Sequence, residues 1–187
     1  MQRKELQIWP TPVKFGVFVF IAGVFSKDSQ SSIMRIKLIC IGKIKKSYWQ
    51  EAATDYMHRI SKYYALDVAE LKEGPKHLSP QERIQVETQA IQAKMTSQDM
   101  PICLDSRGRT LSSPQMGHKL QAWLEEPGSC PCFILGGAYG LAEQVKAKSS
   151  MLLSFGPMTL PHELARIVLL EQLYRASTII HNHPYHH

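Results

Sequence analysis

FILGGAYGLAEQVKAKSSMLLSFGPMTLPHELARIVLLEQLYRASTIIHNHPYHH, from Phe133 to His187, is the part of the chain to which everything else is fitted. It joins an apolar strand, a glycine turn, a loop that enters a helix at Pro161, and a tail of histidine and tyrosine. Pro161 suits a first helical position, where the missing N–H costs nothing. At about 100° per residue, His162 and Arg166 share one edge of the helix 161–180, and Glu171 and Arg175 share the opposite one. Leu164, Ile167, Val168, Leu170, Leu173, Tyr174 and Ile179 fill both arcs between. A helix apolar nearly all round must be covered on more than one side. The chain's own sheet and a second subunit are expected to supply that cover. Glu171 and Arg175 also fit a plain i,i+4 ion pair with no further role.

Upstream, strands alternate with helices. Arg35–Gly42 is a β-rich apolar run ending at a glycine turn, and Ser47-x-x-Gln50 opens the next segment with the signature of a capping box. Trp49, Ala52, Ala53, Tyr56, Ile60 and Tyr63 then recur at helical spacing. Leu66–Lys72 is a second strand. At Ser79-Pro80-Gln81-Glu82 an N-cap, a proline and a glutamate agree on a helix start, and that helix runs to Thr96 with a sparse apolar face. Met100–Asp105 is a third strand, followed by a turn, SRGR, and a capped helix from Ser112-Ser113-Pro114 to Glu125. Pro131–Gly137 and Met151–Phe155 are the fourth and fifth strands. The alternation predicts an α/β fold, a mostly parallel sheet with helices on both faces. Sites in such sheets gather at the carboxyl ends of the strands, here Asp105–Arg109, Gly136–Gly140 and Phe155–Leu160.

The length of 187 residues suits one domain. The net charge of +6, from 22 Lys+Arg against 16 Asp+Glu, allows an acidic partner such as RNA without demanding one. Cys40 and Cys103 lie inside apolar strands and Cys130 and Cys132 are spaced C-x-C, which is no disulfide framework and points to a reducing, cytoplasmic compartment. Residues 1–33 differ from the rest: Arg3 and Lys4 precede an apolar run from Val13 to Phe25 and the polar patch SKDSQSS. The order is that of a signal peptide, but no small-x-small cleavage site follows, and the run is too short to span a membrane. The expected organisation is an extension over 1–33 outside the catalytic fold and a functional domain over 34–187.

The glycine turn Gly136-Gly137-Ala138-Tyr139-Gly140 lacks the G-x-G-x-x-G spacing, and the chain has no G-x-x-x-x-G-K-[ST], so neither a dinucleotide nor a nucleoside triphosphate is indicated. Its glycines still require close approach of the backbone to a ligand or to a neighbouring loop. The strand end LICIGKIKKSYW, the turn LDSRG, FILGGAYGL, and MTLPHELARIVLLEQLYRA with its NHPYHH tail together resemble the bacterial pseudouridine N3-methyltransferases of large-subunit ribosomal RNA. These belong to the SPOUT, or trefoil-knot, superfamily, and the resemblance covers Met34 to His187.

The resemblance implies a homodimer with a C-terminal trefoil knot that binds S-adenosyl-L-methionine and methylates N3 of a pseudouridine of 23S rRNA (position 1915, helix 69) in the assembled ribosome. No membrane and no metal are implied. Carried onto this chain, the cofactor residues are Leu104, Gly136, Phe155, Gly156, Pro157, Met158, Thr159 and Leu160. The catalytic candidates are His162 as proton acceptor or base orienter, Arg175 to stabilise charge on the uracil ring, Glu171 to hold Arg175, and Tyr185 and His186 to contact the target nucleotide. Relatives carry Lys or Arg after the tyrosine–histidine pair, whereas this chain ends in His187. The histidines of HNHPYHH also suit a metal cluster or a cloning remnant. Lys43, Lys45, Lys46, Arg107 and Arg109 stand at the ligand end of the sheet as phosphate contacts or as a solvated rim. Two alternatives remain beside this function: a knotted methyltransferase of another RNA such as tRNA, and a non-catalytic RNA-binding relative.

Overall fold

The computed structural model describes residues 34–185. The expected extension over 1–33, and His186 and His187, lie outside the described residues. Five strands, β1 (Arg35–Ile41), β2 (Ala65–Leu71), β3 (Asp99–Thr110), β4 (Cys130–Leu135) and β5 (Met151–Ser154), form one sheet. Its order is β2-β1-β4-β3-β5 and every pairing is parallel. The helices are α1 (Ser47–Ile60), α2 (Pro80–Lys94), α3 (Ser113–Glu125), the short α4 (Glu143–Lys146) and α5 (His162–Ile180).

Alternation along the strands sends side chains to both faces, and both faces are buried. Ile36, Leu38 and Cys40 of β1 face a cluster with Ala53 of α1, Leu120 of α3 and Leu169, Leu170 and Leu173 of α5. Ile39 and Ile41 face a second cluster with Ile91 of α2 and Val145 beside Cys103, Cys132 and Ile134. Each fully buried aliphatic side chain contributes about 1.5–3 kcal/mol, so β1 and β4 anchor the domain. α1, α3 and α5 cover one face, and α2 and α4 the other. The sheet, α1 and α3 cover Ile167, Leu169, Leu170, Leu173 and Ala176 of α5, while Leu164 and Val168 are half-buried.

The helix starts show where local signals held. Ser79 accepts from the N–H of Glu82 while the Glu82 carboxylate accepts from the N–H of Ser79, and Ser112 and Gln115 make the same exchange. Ser47 does not cap α1. It is the first helical residue, and Gln50 donates instead to the Ile44 carbonyl at 2.8 Å. The carboxylate of Glu163, from α5, accepts from the N–H groups of Lys45 at 3.2 Å and Lys46 at 3.5 Å, and so fixes the loop that leads into α1. Pro161 is the N-cap of α5 rather than its first residue, with ψ at 140°.

The SRGR segment is not a turn between elements. β3 runs on to Thr110, pairing with β5 at Leu104↔Leu153 and, after an irregularity, again at Arg109↔Leu153. Gly108 permits this return, since a Cβ there would stand 2.7 Å from the backbone of Leu152.

Candidate cofactor and substrate site

A cleft of about 750 Å³ opens at the carboxyl ends of β3, β4 and β5. Its walls are the bend at 104–107 within β3 and the loops 136–141 after β4 and 154–161 after β5, the three regions that the sequence pointed to. Leu104, Gly136, Phe155, Gly156, Met158, Thr159 and Leu160 all line it, as does His162. Pro157 is exposed and does not line it. Met158 is 79% exposed, which places it on the open rim rather than in the apolar wall formed by Leu104, Phe155 and Leu160.

Backbone geometry explains the glycines. A Cβ on Gly136 would lie 2.6 Å from the carbonyl carbon and oxygen of Gly140, so the turn closes on itself only without a side chain there. Gly156 has φ +116°, a conformation that side chains rarely adopt. The Ser154 hydroxyl, buried at the tip of β5, accepts from the N–H of Gly156 at 3.1 Å and lies 3.1 Å from the Ser106 carbonyl. It ties the loop after β5 to the bend in β3.

One charged lining residue, Lys146, was not singled out by the sequence. Lys146, 7% exposed, donates to Asp105 at 3.0 Å and pairs with Glu143 at 2.7 Å. Arg107 bridges Asp105 and Glu143 from the other side at 3.3 and 3.0 Å. Burial works against the Asp105 carboxylate, but hydrogen bonds from Arg107 and Lys146 outweigh it and hold its pKa at about 2. The cleft thus combines apolar walls with a fixed, balanced polar group. The missed signal was Lys146 three residues after Glu143, at the spacing of a helical ion pair.

Cysteine nucleophiles are absent from this chemistry. Burial raises the Cys40 thiol to about 12 and the Cys103 thiol to about 11, so both stay protonated at neutral pH.

Among the described residues Arg83 Nε, Glu87 Oε2, His162 Nε2 and Tyr64 Oη are buried without partners, and the first three surround one junction of glycines. The Cβ position of Gly42 lies 3.3 Å from His162 Nε2 and 3.2 Å from Glu73 Oε1, and that of Gly137 lies 2.8 Å from Glu87 Oε2. His162 therefore turns one nitrogen toward the end of β1. Arg166, on the same edge of α5, is taken by Glu70 at 2.7 Å.

The remaining catalytic candidates are elsewhere. Arg175 donates through Nε to Glu171 at 2.9 Å, and Gln172 holds the other oxygen of that carboxylate at 2.6 Å. The Arg175 guanidinium lies 4.9 Å from the Tyr185 ring, which meets Tyr174 edge-on at 4.6 Å. Burial, with the Tyr56 hydroxyl, pushes the Tyr185 phenol up to about 12. His183 bonds Tyr63 at 2.6 Å, and His181 packs on the same ring. Among the described residues no group of three or more His, Cys, Asp or Glu is placed to hold a metal. At 1.5 Å per residue, Arg175 stands roughly 20 Å along α5 from His162. Within one chain, the two halves of the candidate set do not meet.

The basic residues divide as well. Lys43, Lys45, Lys46 and Arg109 are exposed. Lys45 pairs with Glu73 at 3.2 Å, whereas among the described residues Lys43, Lys46 and Arg109 make no ion pair.

A parallel sheet with three loops meeting in a glycine-lined cleft places the chain in a class: residues 34–186 match the family described as predicted SPOUT methyltransferase. The curated relatives are more particular. The "Ribosomal RNA large subunit methyltransferase H" of Maridesulfovibrio salexigens is 41% identical over 153 residues, covering 82% of this chain and 98% of that protein. The proteins of the same name from Desulfovibrio desulfuricans, 41% identical over 81% of this chain and 97% of theirs, and Syntrophotalea carbinolica, 40% identical over 82% and 99%, agree. The chain belongs to this SPOUT methyltransferase family.

Proposed function

We propose that the protein is an S-adenosylmethionine-dependent methyltransferase of large-subunit ribosomal RNA, acting at N3 of a pseudouridine. The observation that carries this reading is the cleft. Its volume, the apolar side chains of Leu104, Phe155 and Leu160, and the backbone opened by Gly136 and Gly156 fit an adenosine held by packing and main-chain hydrogen bonds. S-adenosylmethionine supplies an electrophilic methyl group whose carbon–sulfur bond breaks as the carbon–nitrogen bond forms. Leu104, Gly136, Phe155, Gly156, Met158, Thr159 and Leu160 hold and orient the cofactor, and Asp105 with Lys146 forms a charged wall beside it. His162, which lines the cleft and has a buried imidazole nitrogen without a hydrogen-bond partner, takes the proton released from N3 or orients the base; alignment and proton removal are what such a displacement requires.

Arg175, held by Glu171, with Tyr185 and His186, acts on the target nucleotide from a second copy of the chain. The roughly 20 Å between Arg175 and His162 supports a homodimer, because one chain cannot present both ends of α5 to one base. The C-terminal topology is the trefoil knot of the SPOUT family to which the chain belongs. Residues 34–187 constitute the catalytic fold and 1–33 lie outside it. Four cysteines free of disulfides support a cytoplasmic enzyme acting on the ribosome. Among the described residues no helix is long and apolar enough to cross a membrane.

The test is transfer from methyl-labelled S-adenosylmethionine to ribosomes lacking the modification, with the label located by RNA mass spectrometry. Label on a large-subunit pseudouridine is expected. Cofactor binding with no transfer to the ribosome would overturn the substrate, and no cofactor binding would overturn the enzyme.

A further inference from the structure

The side chain of Tyr139 rises from the glycine turn at the mouth of the cleft. It lines the cleft yet is 48% exposed, an unusual state for so large a ring. On one side the Arg83 guanidinium lies 5.0 Å from its centroid. Among the described residues no other ring or cation packs against it.

Arg83 is itself built into place. It is only 9% exposed, its Nη2 stands 3.8 Å from the Glu73 carboxylate, and its Nε has no partner. Gly74 lets α2 approach this closely, since a Cβ there would come within 2.9 Å of the Arg83 Cα. The Gly74 N–H donates in turn to Glu87 at 2.9 Å, which fixes the loop to the helix. A desolvated guanidinium under a tyrosine is a stronger cation–π contact than an exposed one, and it holds the ring at a set angle.

We infer that Tyr139 is the platform on which the target nucleobase stacks, with Arg83 as the positioning residue behind it. This rests on the methyltransferase function proposed above. Proteins hold unpaired bases by stacking them on aromatic rings. Stacking engages the face of the pyrimidine ring and leaves its edge free, so N3 and its flanking carbonyls can point into the cleft. The cofactor's adenine is accounted for by the half-buried Leu104, Phe155 and Leu160, whereas Tyr139 stands at the rim, where RNA arrives.

The test compares Tyr139→Ala, Tyr139→Leu and Tyr139→Phe with the wild type, measuring kcat/KM and affinity for unmodified ribosomes and, separately, the Kd for S-adenosylmethionine. Loss of one base stack predicts a fall in kcat/KM of about 5- to 100-fold for Ala and Leu. Recovery of most of it in Phe and an unchanged cofactor Kd are also expected, and R83M is expected to fall between. Wild-type kcat/KM in Tyr139→Ala would overturn the inference, as would a cofactor Kd that weakens in step with the rate. Absence of transfer by the wild type would remove the function and this inference together, whereas transfer that ignores Tyr139 removes the inference alone.

Discussion

Replacing Asp105 by Asn tests the charge balance of the cleft floor. The folded state holds this carboxyl at a pKa of about 2 against an ordinary value of 3.8. One unit corresponds to about 1.4 kcal/mol, so the shift represents roughly 2 kcal/mol of preference for the ionised form in the fold. Part of this comes from Arg107, whose side chain is 70% exposed and whose contribution water screens. The part from Lys146 persists, because that side chain is 6% exposed. The Asn variant should therefore be about 1–2 kcal/mol less stable at pH 7.

Because the folded pKa is depressed, the stabilisation is complete above the unfolded value, near 4, and is lost as pH falls through the folded value, near 2. Urea titrations of both proteins between pH 7 and pH 2.5 are the assay. The gap should be constant down to about pH 5 and shrink below pH 4. Other lowered carboxylates, Glu82 and Glu143, titrate in both proteins. A gap that persists unchanged at pH 3 would assign it to packing rather than charge, and no gap at pH 7 would refute the electrostatic account.

Gly136→Ala places a methyl 2.6 Å from the Gly140 carbonyl. At about 1–3 kcal/mol for such overpacking, calorimetry should find S-adenosylmethionine affinity reduced by roughly 5- to 100-fold. His162→Ala should cut kcat by about 10²–10⁴ while the cofactor Kd holds; near-normal turnover would dismiss it as catalytic. Ser79→Ala removes the hydroxyl that accepts from the Glu82 N–H while leaving the backbone bond from Ser79 to the Glu82 carboxylate, and should cost about 1 kcal/mol in urea unfolding, with methyl transfer unaffected at a temperature where both proteins are folded.

Much of the fold was legible because its signals are local. Capping boxes at Ser79 and Ser112, and apolar runs bounded by glycine and proline, place five strands and four long helices where they lie, with the end of β3, five residues beyond Asp105, the main departure. What failed was decided by tertiary contact. Ser47 reads as a cap, but Glu163, more than a hundred residues away, satisfies the N–H groups of Lys45 and Lys46. The SRGR segment reads as a turn, but pairing with Leu153 and Ser154 draws it back into the sheet. The polar face of α2 gave its sparse apolar pattern, and no periodicity announces that Arg83 and Glu87 are buried beneath a glycine loop. The cleft residues were found through the family's motifs, whereas Asp105, Lys146 and Tyr139 acquire meaning only from geometry.

The strand order explains why chemistry collects at the tip of β4. In a parallel sheet, a crevice forms where neighbouring strands send their chains to opposite faces. β1 and β3 flank β4 and lead to α1 and α3 on one face, while β4 leads to α4 on the other. β4 therefore has such a crevice on each side. The β3 side, continued by β5, carries the cleft with Asp105, Phe155 and Leu160. On the β1 side lie Gly42 and the lysines at 43, 45 and 46, and His162, which also lines the cleft, turns its buried, unpartnered Nε2 that way. Only the glycine turn separates the two, and Tyr139 stands on it. A methyl donor held in the cleft and an RNA base entering at its mouth would have to touch beside this turn, and a side chain at position 136, 2.6 Å from Gly140, would push the turn into the space where they meet.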